Sequence, residues 1–325
     1  MKMTVETVRR PLAAPFVITG YTFTHLDAVW VTLENNGATG RGEGVGMYYL
    51  GENPETLSLE LEGVRDAVES GATRLDIQSL LPRGGARNAL DCAYWDLECK
   101  VRGQTIWQVL DITPQPLVTV ATIGMGTPEE MVEKACTFAA YPQLKVKLDG
   151  HRPLERLAAI RAARPEATLV IDVNQGWSMA ELETYTPELS NLEVAMIEQP
   201  LARGADAELH EYQSPIPLGA DESCLDLSEY EEAASRYDVI NIKLDKCGGL
   251  TEALAIAARA RDEGKDLMVG NMTGTSLSMA PSHVIGQFCR FIDIDGPLLL
   301  ASDIAGGLSY LPGGVVSPPE PQLWG

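Results

Sequence analysis

Positive charge is scarce in this chain of 325 residues: 25 Lys and Arg stand against 46 Asp and Glu, a formal net charge of −21. Such an excess repels nucleic acid and anionic membrane surfaces, so neither is expected as a partner. Histidine is scarcer still. His25, His151, His210 and His283 sit in no motif of a catalytic triad, a zincin or a deaminase. The six cysteines are scattered, with no C-x-x-C and no Cys/His cluster at zinc spacing, and read as free thiols. No apolar run reaches the roughly 18 residues of a membrane-spanning helix. The opening MKMTVETVRRPLAAPF lacks the apolar core of a secretory signal, so the expected location is cytoplasmic. What remains for chemistry is Lys, Asp and Glu.

With 45% hydrophobic and 22% charged residues, the chain has an ordinary globular composition, and its length suggests two domains or one barrel with an accessory region. Residues 1–35 alternate apolar and polar positions and reach Asn35-Asn36-Gly37, a hairpin signal. From about 53 to 110 the period turns helical, which makes residues 1–114 an α+β capping domain. Beyond 115 the texture changes. Short apolar strands recur at 118–124, 144–148, 168–174, 194–200, 217–223, 239–245, 266–272 and 291–295, each followed by a helical stretch. Eight strand–helix units predict a modified (β/α)8, TIM-type barrel over 115–300. A doubly wound open sheet is the alternative, but no G-x-G-x-x-G follows the first strand. Residues 301–325, rich in Gly and Pro, read as a segment returning to the capping domain.

In such a barrel the helices cover the outside, so charged residues near strand ends point inward or to the C-terminal mouth. Asp172, Glu198 and Asp221 fall at the ends of three consecutive strands and would converge. Oxygen ligands alone favour a hard cation, most simply Mg²⁺. Lys145 and Lys147 share one face of strand 2, because Leu144, Val146 and Leu148 must face the helices. Lys243 ends strand 6, four strands away and so across the pore. Two amines on opposite sides of one bound atom suit removal of a proton from one face and its return to the other. A cation on a substrate carboxylate, with Lys145 nearby, would stabilise the resulting enediolate, and both charges are expected to depress the lysine pKa values.

LKVKLD, IDVNQGW, MIEQPL, GADESC and NIKLDKCGG resemble, in order and spacing, the barrel motifs of the muconate-lactonizing branch of the enolase superfamily. The resemblance spans nearly the whole chain, from ARNALDCAYWDLECK to FIDIDGP. Within that branch the D-x-D on strand 8 is similar to dipeptide epimerases of the L-Ala-D/L-Glu epimerase type. The resemblance implies Mg²⁺ on Asp172, Glu198 and Asp221, and Lys147 and Lys243 as the acid/base pair. It also implies Lys145 assisting the substrate carboxylate, Thr122 lining the site, and Asp293 with Asp295 binding the α-ammonium of a dipeptide.

The capping hairpin departs from the Ala-Glu type, which carries basic residues there. Here no Lys or Arg lies between Arg10 and Arg41. Tyr21 and Phe23 occupy the first loop, and Tyr48 and Tyr49 the second, so a dipeptide with an uncharged, apolar or aromatic second residue is expected. The sequence is compatible with a homo-oligomer without specifying one. N-acylamino acid racemase, o-succinylbenzoate synthase and cycloisomerase are alternatives within the branch, but none needs the ammonium-binding pair. A non-catalytic barrel that binds a metal or metabolite is the alternative of another class, and metal-dependent hydrolysis leaves the opposed lysines unexplained.

Overall fold

The computed structural model describes residues 1–325. Three antiparallel strands open the chain, β1 (Lys2–Ile18), β2 (Tyr21–Asn35) and β3 (Ala38–Gly44). The β2–β3 turn falls at the predicted Asn-Gly, with Asn36 (φ 49°) and Gly37 (φ 84°) both left-handed, as a two-residue hairpin requires. The β1–β2 pairing breaks register between Pro11 and Phe16, a bulge that lifts residues 12–15 out of the ladder. Helices α1 (Pro54–Glu69), α2 (Ile77–Leu80), α3 (Gly85–Arg102) and α4 (Ile106–Leu110) follow. Asn53 starts α1 by accepting from the Glu55 and Thr56 N–H groups ahead of Pro54 at the first turn. In β3 the alternate residues Gly40, Gly42 and Gly44 lie flush on α3. A Cβ there would stand 2.3, 2.1 and 2.1 Å from the carbonyl oxygens of Ala93, Ala89 and Gly85, so backbone meets backbone.

The second half alternates strand and helix. Its strands are β4 (Leu117–Val118), β5 (Ala121–Ile123), β6 (Gln143–Lys147), β7 (Thr168–Asp172), β8 (Val194–Glu198), β9 (Leu218–Ala220), β10 (Val239–Ile242), β11 (Asp266–Val269) and β12 (Phe291–Ile292). Helices α5 (Pro128–Thr137), α6 (Pro153–Ala163), α7 (Met179–Asn191), α8 (Tyr230–Ala234), α9 (Leu244–Cys247), α10 (Leu250–Asp262), α11 (Ser276–Gly286) and α12 (Gly296–Leu299) intervene or follow, and only a 3₁₀ turn at Ala207–His210 joins β8 to β9. β5 to β12 form one parallel sheet in chain order. The Val120 N–H donates to Ile292 O and joins the sheet's two ends.

The first barrel strand differs from its predicted span of 118–124. β4 pairs instead with β14 (Val315–Val316), which pairs with β13 (Tyr310–Leu311), in a small antiparallel sheet. The chain end continues to α3, where the buried Trp324 indole N–H donates to Cys92 O and the Gly325 N–H to Asp96.

Alternation along the strands sorts the barrel into two environments. One phase, including Leu144, Val146, Leu169 and Ile171, joins the large core beneath the helices. The other phase points inward. Its lower positions, Val170, Met196, Val239, Met268 and Phe291, make an apolar floor. Its upper positions carry almost every charged group of the mouth.

Candidate active site

Strand register brings the charged side chains together. Lys147 pairs with Asp172, Asp172 with Glu198, and Glu198 with Gly219, two residues before Asp221. Lys243 follows β10 directly, while Asp293 and Asp295 lie just past β12. β6 and β10 are four places apart in the eight-stranded sheet, so Lys147 and Lys243 enter the mouth from opposite sides. Both line one cavity of ≈ 250 Å³ between the barrel and the first sheet. Thr122, Lys145, Asp221, Asp293 and Asp295 share its wall, whereas Asp172 and Glu198 are fully buried beside it.

The ionic contacts are short. Lys145 Nζ lies 2.8 Å from Glu198, 2.8 Å from Asp293 and 3.2 Å from Asp172. Lys147 Nζ lies 2.5 Å from Asp172 and donates to Asn174 Oδ1 at 3.1 Å. Lys243 Nζ donates to Asp221 Oδ2 at 2.6 Å. Asp172, Glu198 and Asp221 do not gather at ligating distance around one point, contrary to the expected convergence, because these ammonium groups stand among them. Six buried carboxylates (Asp172, Glu198, Asp221, Glu222, Asp293, Asp295) face four buried ammonium groups (Lys145, Lys147, Lys243, Lys246), an excess of two negative charges. Uncompensated charge is costly away from water.

Titration reflects that excess. Burial pushes Glu198 up to about 7, with the Asp172 charge adding to it, and burial with Asp221 and Asp172 pushes Glu222 up to about 8. Asp295 rises to about 7 through burial and the neighbouring Asp293. Asp172 is likewise buried, but Lys147, Lys145 and Lys243 outweigh burial and bring it down to about 2. Burial disfavours charge on Lys243, yet Asp221 prevails and holds it above its ordinary value. The cause is the direct contact between the Asp221 carboxylate and the Lys243 amine.

The donor set suits a hard cation. Glu198 Oε2 lies 2.8 Å from Lys145 Nζ, and Asp221 Oδ1 lies 2.7 Å from Lys246 Nζ. Neither contact has hydrogen-bond geometry, so both buried oxygens keep lone pairs unengaged. All-oxygen donors and two surplus negative charges fit one divalent ion of the Mg²⁺ type.

Four neighbours escape a reading of the motifs alone. Lys246, one helical turn after Lys243, donates to the carbonyls of Asp221, Cys224 and Asn241. Glu222 and Asn271 also line the cavity, and Asn174 stands two residues beyond Asp172. Spacing offers a signal for Lys246 and Asn174, the former as K-x-x-K and the latter as D-x-N at a strand end. Asn271 has no such signal.

The roof comes from the first sheet and the 3₁₀ turn after it, Tyr48–Leu50. Phe23, Tyr48 and Tyr49 line the cavity, whereas Tyr21 is 44% exposed and stands outside, edge-on to Tyr48 with ring centres 4.4 Å apart. Tyr48 also meets Phe23 at 5.1 Å and Tyr49 at 5.3 Å, both edge to face. Two buried acids tie this roof to the barrel. Asp245 accepts from the Val45 N–H (2.9 Å) and Asn88 Nδ2 (2.9 Å), and Glu43 accepts from the Thr275 N–H (2.8 Å) and the Trp30 indole (2.7 Å). Gly248 and Gly249 (φ 83° and 116°) bring α3 close, since a Cβ on either would strike Arg87 or Asp91.

Comparison with known proteins matches this architecture. The model of the enolase C-terminal domain-like family matches residues 129–320, and that of the mandelate racemase / muconate lactonizing enzyme N-terminal domain matches residues 1–111. An L-Ala-D/L-Glu epimerase of Escherichia coli (strain K12) is 41% identical over 306 residues, covering 93% of this chain and 95% of that protein. An enolase family member from Agrobacterium tumefaciens with homology to dipeptide epimerases, holding sodium and L-Ala-L-Glu with an ordered loop, superposes with a TM-score of 0.96. It is 44% identical and covers 99% of each chain. A dipeptide epimerase from Cytophaga hutchinsonii complexed with Mg and D-Ala-L-Val superposes at 0.90 with 25% identity, over 98% of this chain and 94% of that one.

Proposed function

Because the chain belongs to the mandelate racemase / muconate lactonizing enzyme family of the enolase superfamily, we propose that it is a dipeptide epimerase, an isomerase that inverts the α-carbon of a dipeptide's second residue. The observation that carries this reading is the pair of amines, Lys147 and Lys243, reaching one cavity from strands four places apart. One amine, neutral, takes the α-proton from its face. The other, charged, gives a proton to the opposite face, and the roles reverse for the return reaction.

The remaining residues orient the substrate. Asp172, Glu198 and Asp221 would hold Mg²⁺, which when bound supplies positive charge to the substrate carboxylate as the α-carbon becomes electron-rich. Lys145 adds a fixed ammonium on the same side. Asp293 and Asp295, about half-way round the sheet from β8, present carboxylates to the far end of the substrate, where a free α-ammonium is the matching group. Thr122, whose N–H donates to Asp295 at 2.7 Å, keeps that carboxyl turned into the cavity. An N-acylated substrate would leave both acids facing an uncharged amide, which favours a dipeptide.

The roof favours a second residue without negative charge. Phe23, Tyr48 and Tyr49 supply ring surface, and the acids Asp27 and Glu52 line the same wall with His25 as the one basic group of the roof. A glutamate side chain would find no Lys or Arg there to pair with. Incubation of an L-Ala-L-Xaa panel in D2O with Mg²⁺ tests the reading by NMR. Deuterium should enter the C-terminal α-position and the L,D epimer should accumulate, faster for Ala-Leu and Ala-Phe than for Ala-Glu. Absence of exchange with every dipeptide refutes the activity, and a clear preference for Ala-Glu refutes the specificity alone.

A further inference from the structure

A second cavity, of ≈ 260 Å³, adjoins the catalytic one. The two share Phe16, Thr122 and Leu299 as lining residues. One wall is the bulge of β1, with Ala13, Ala14 and Pro15 out of register with β2. The facing wall is the segment after β5, held close because the Met125 N–H donates to Val17 O and a Cβ on Gly124 would lie 3.2 Å from the same oxygen. Met125, Met131 and Leu298 make most of the facing lining apolar, with Glu130 and Lys134 the two charged residues on it.

We infer that this groove receives the side chain of the dipeptide's first residue, and that the enzyme accepts large apolar residues such as Leu and Met in that position as well as Ala. The inference rests on the reading of the site as a dipeptide epimerase. An α-ammonium held by Asp293 and Asp295 beside Thr122 fixes the first α-carbon at the shared wall, because ammonium and side chain leave the same atom. Beside Thr122 the catalytic cavity offers that side chain Lys145, Asp293 and Asp295, so the apolar exit past Phe16 and Leu299 is the one that matches it. Two small residues, Ala13 and Ala14, leave the groove open where larger ones would fill it. Methionine on the facing wall adapts to side chains of different shape.

The experiment compares L-Ala-L-Leu, L-Leu-L-Leu and L-Met-L-Leu by α-proton exchange in D2O, with the native protein and with Ala14→Trp. Ala14 is exposed and outside the catalytic machinery, and turnover of Ala-Leu by the variant reports that it folds. The native protein should turn over Leu-Leu and Met-Leu with kcat/KM at least equal to that of Ala-Leu. In Ala14→Trp both should fall by about tenfold or more while Ala-Leu is unchanged, the scale expected for apolar groups lost from a pocket. Turnover of Ala-Leu with Leu-Leu more than about a hundredfold slower overturns the subsite and leaves the epimerase reading standing. An equal loss on all three substrates in Ala14→Trp also overturns the subsite. Failure of all three in the native protein overturns the reading and the subsite together.

Discussion

Removing one amine at a time separates the two faces of the reaction. In Lys147→Ala, Asp172 keeps Lys145 at 3.2 Å, and in Lys243→Ala, Asp221 keeps Lys246 at 2.7 Å, so each carboxylate retains an ammonium and both variants should fold. A general acid or base in contact with the transferred proton contributes about 10²–10⁴ in rate. Epimerisation needs both groups, so each variant should lose about 10³-fold or more of it in either direction, about 4 kcal/mol of transition-state stabilisation. Exchange is less demanding, since a single amine can remove and return a proton on its own side. Each variant should therefore wash deuterium into only one of the two epimers, Lys147→Ala into one and Lys243→Ala into the other. The assay is NMR of the α-proton with pure L,L and pure L,D dipeptide, beside a thermal melt to verify folding. Equal exchange of both epimers in either variant, or epimerisation above a tenth of the native rate, would refute the opposed arrangement.

Three other outcomes follow from the site and the core. Chelation with EDTA should abolish exchange and lower Tm, with Mg²⁺ restoring both. Saturation at about 100 times Kd adds about 2.7 kcal/mol of stability, and full activity after chelation would dismiss the metal. His283 is buried against the Trp107 ring, with the Val316 carbonyl and the Gln287 amide facing its nitrogens, and burial lowers its pKa from 6.5 to about 4. Its stabilising contribution is complete above pH 6.5 and is lost as pH falls toward 4. The loss is about 3 kcal/mol at about 1.4 per unit. Urea unfolding of His283→Gln should show a correspondingly shallower decline between pH 7 and 4, and parallel curves would exclude this role. Phe23→Arg puts a cation in the roof and should raise the Ala-Glu to Ala-Leu ratio of kcat/KM by about tenfold, read by the same exchange assay. An unchanged ratio would show that the second side chain does not reach Phe23.

The barrel and the residues of its mouth were legible because strand alternation leaves few choices. Once Leu144 and Val146 face the helices, Lys145 and Lys147 have only the interior. Carboxylates closing successive strands carry the same information. Less legible were contacts made by distant segments. β4 has the composition of a barrel strand, but its partner lies some 200 residues away in β14, and no local pattern announces that pairing. Tyr21 and Phe23 alternate as any two aromatic residues on one strand face, yet only Phe23 reaches the cavity, since Tyr21 is the first residue of β2 and stands part-exposed at its outer end. The contact of Lys243 with Asp221 at 2.6 Å also escaped, a distance that a sequence does not contain. Lys246 hides for a related reason, its three carbonyl partners being assembled only by the turn of α9.

The apolar floor and the reactive groups occupy the same phase of the same strands, Val170 below Asp172 and Met196 below Glu198. Each strand therefore behaves like a reading frame: inserting one residue at its base would send the acid outward among aliphatic neighbours and expose the floor's filler to the helices in the same stroke. Descendants of this chain can revise their diet through the hairpin and the loops above the rim, but the lengths of the strands are heritable constants.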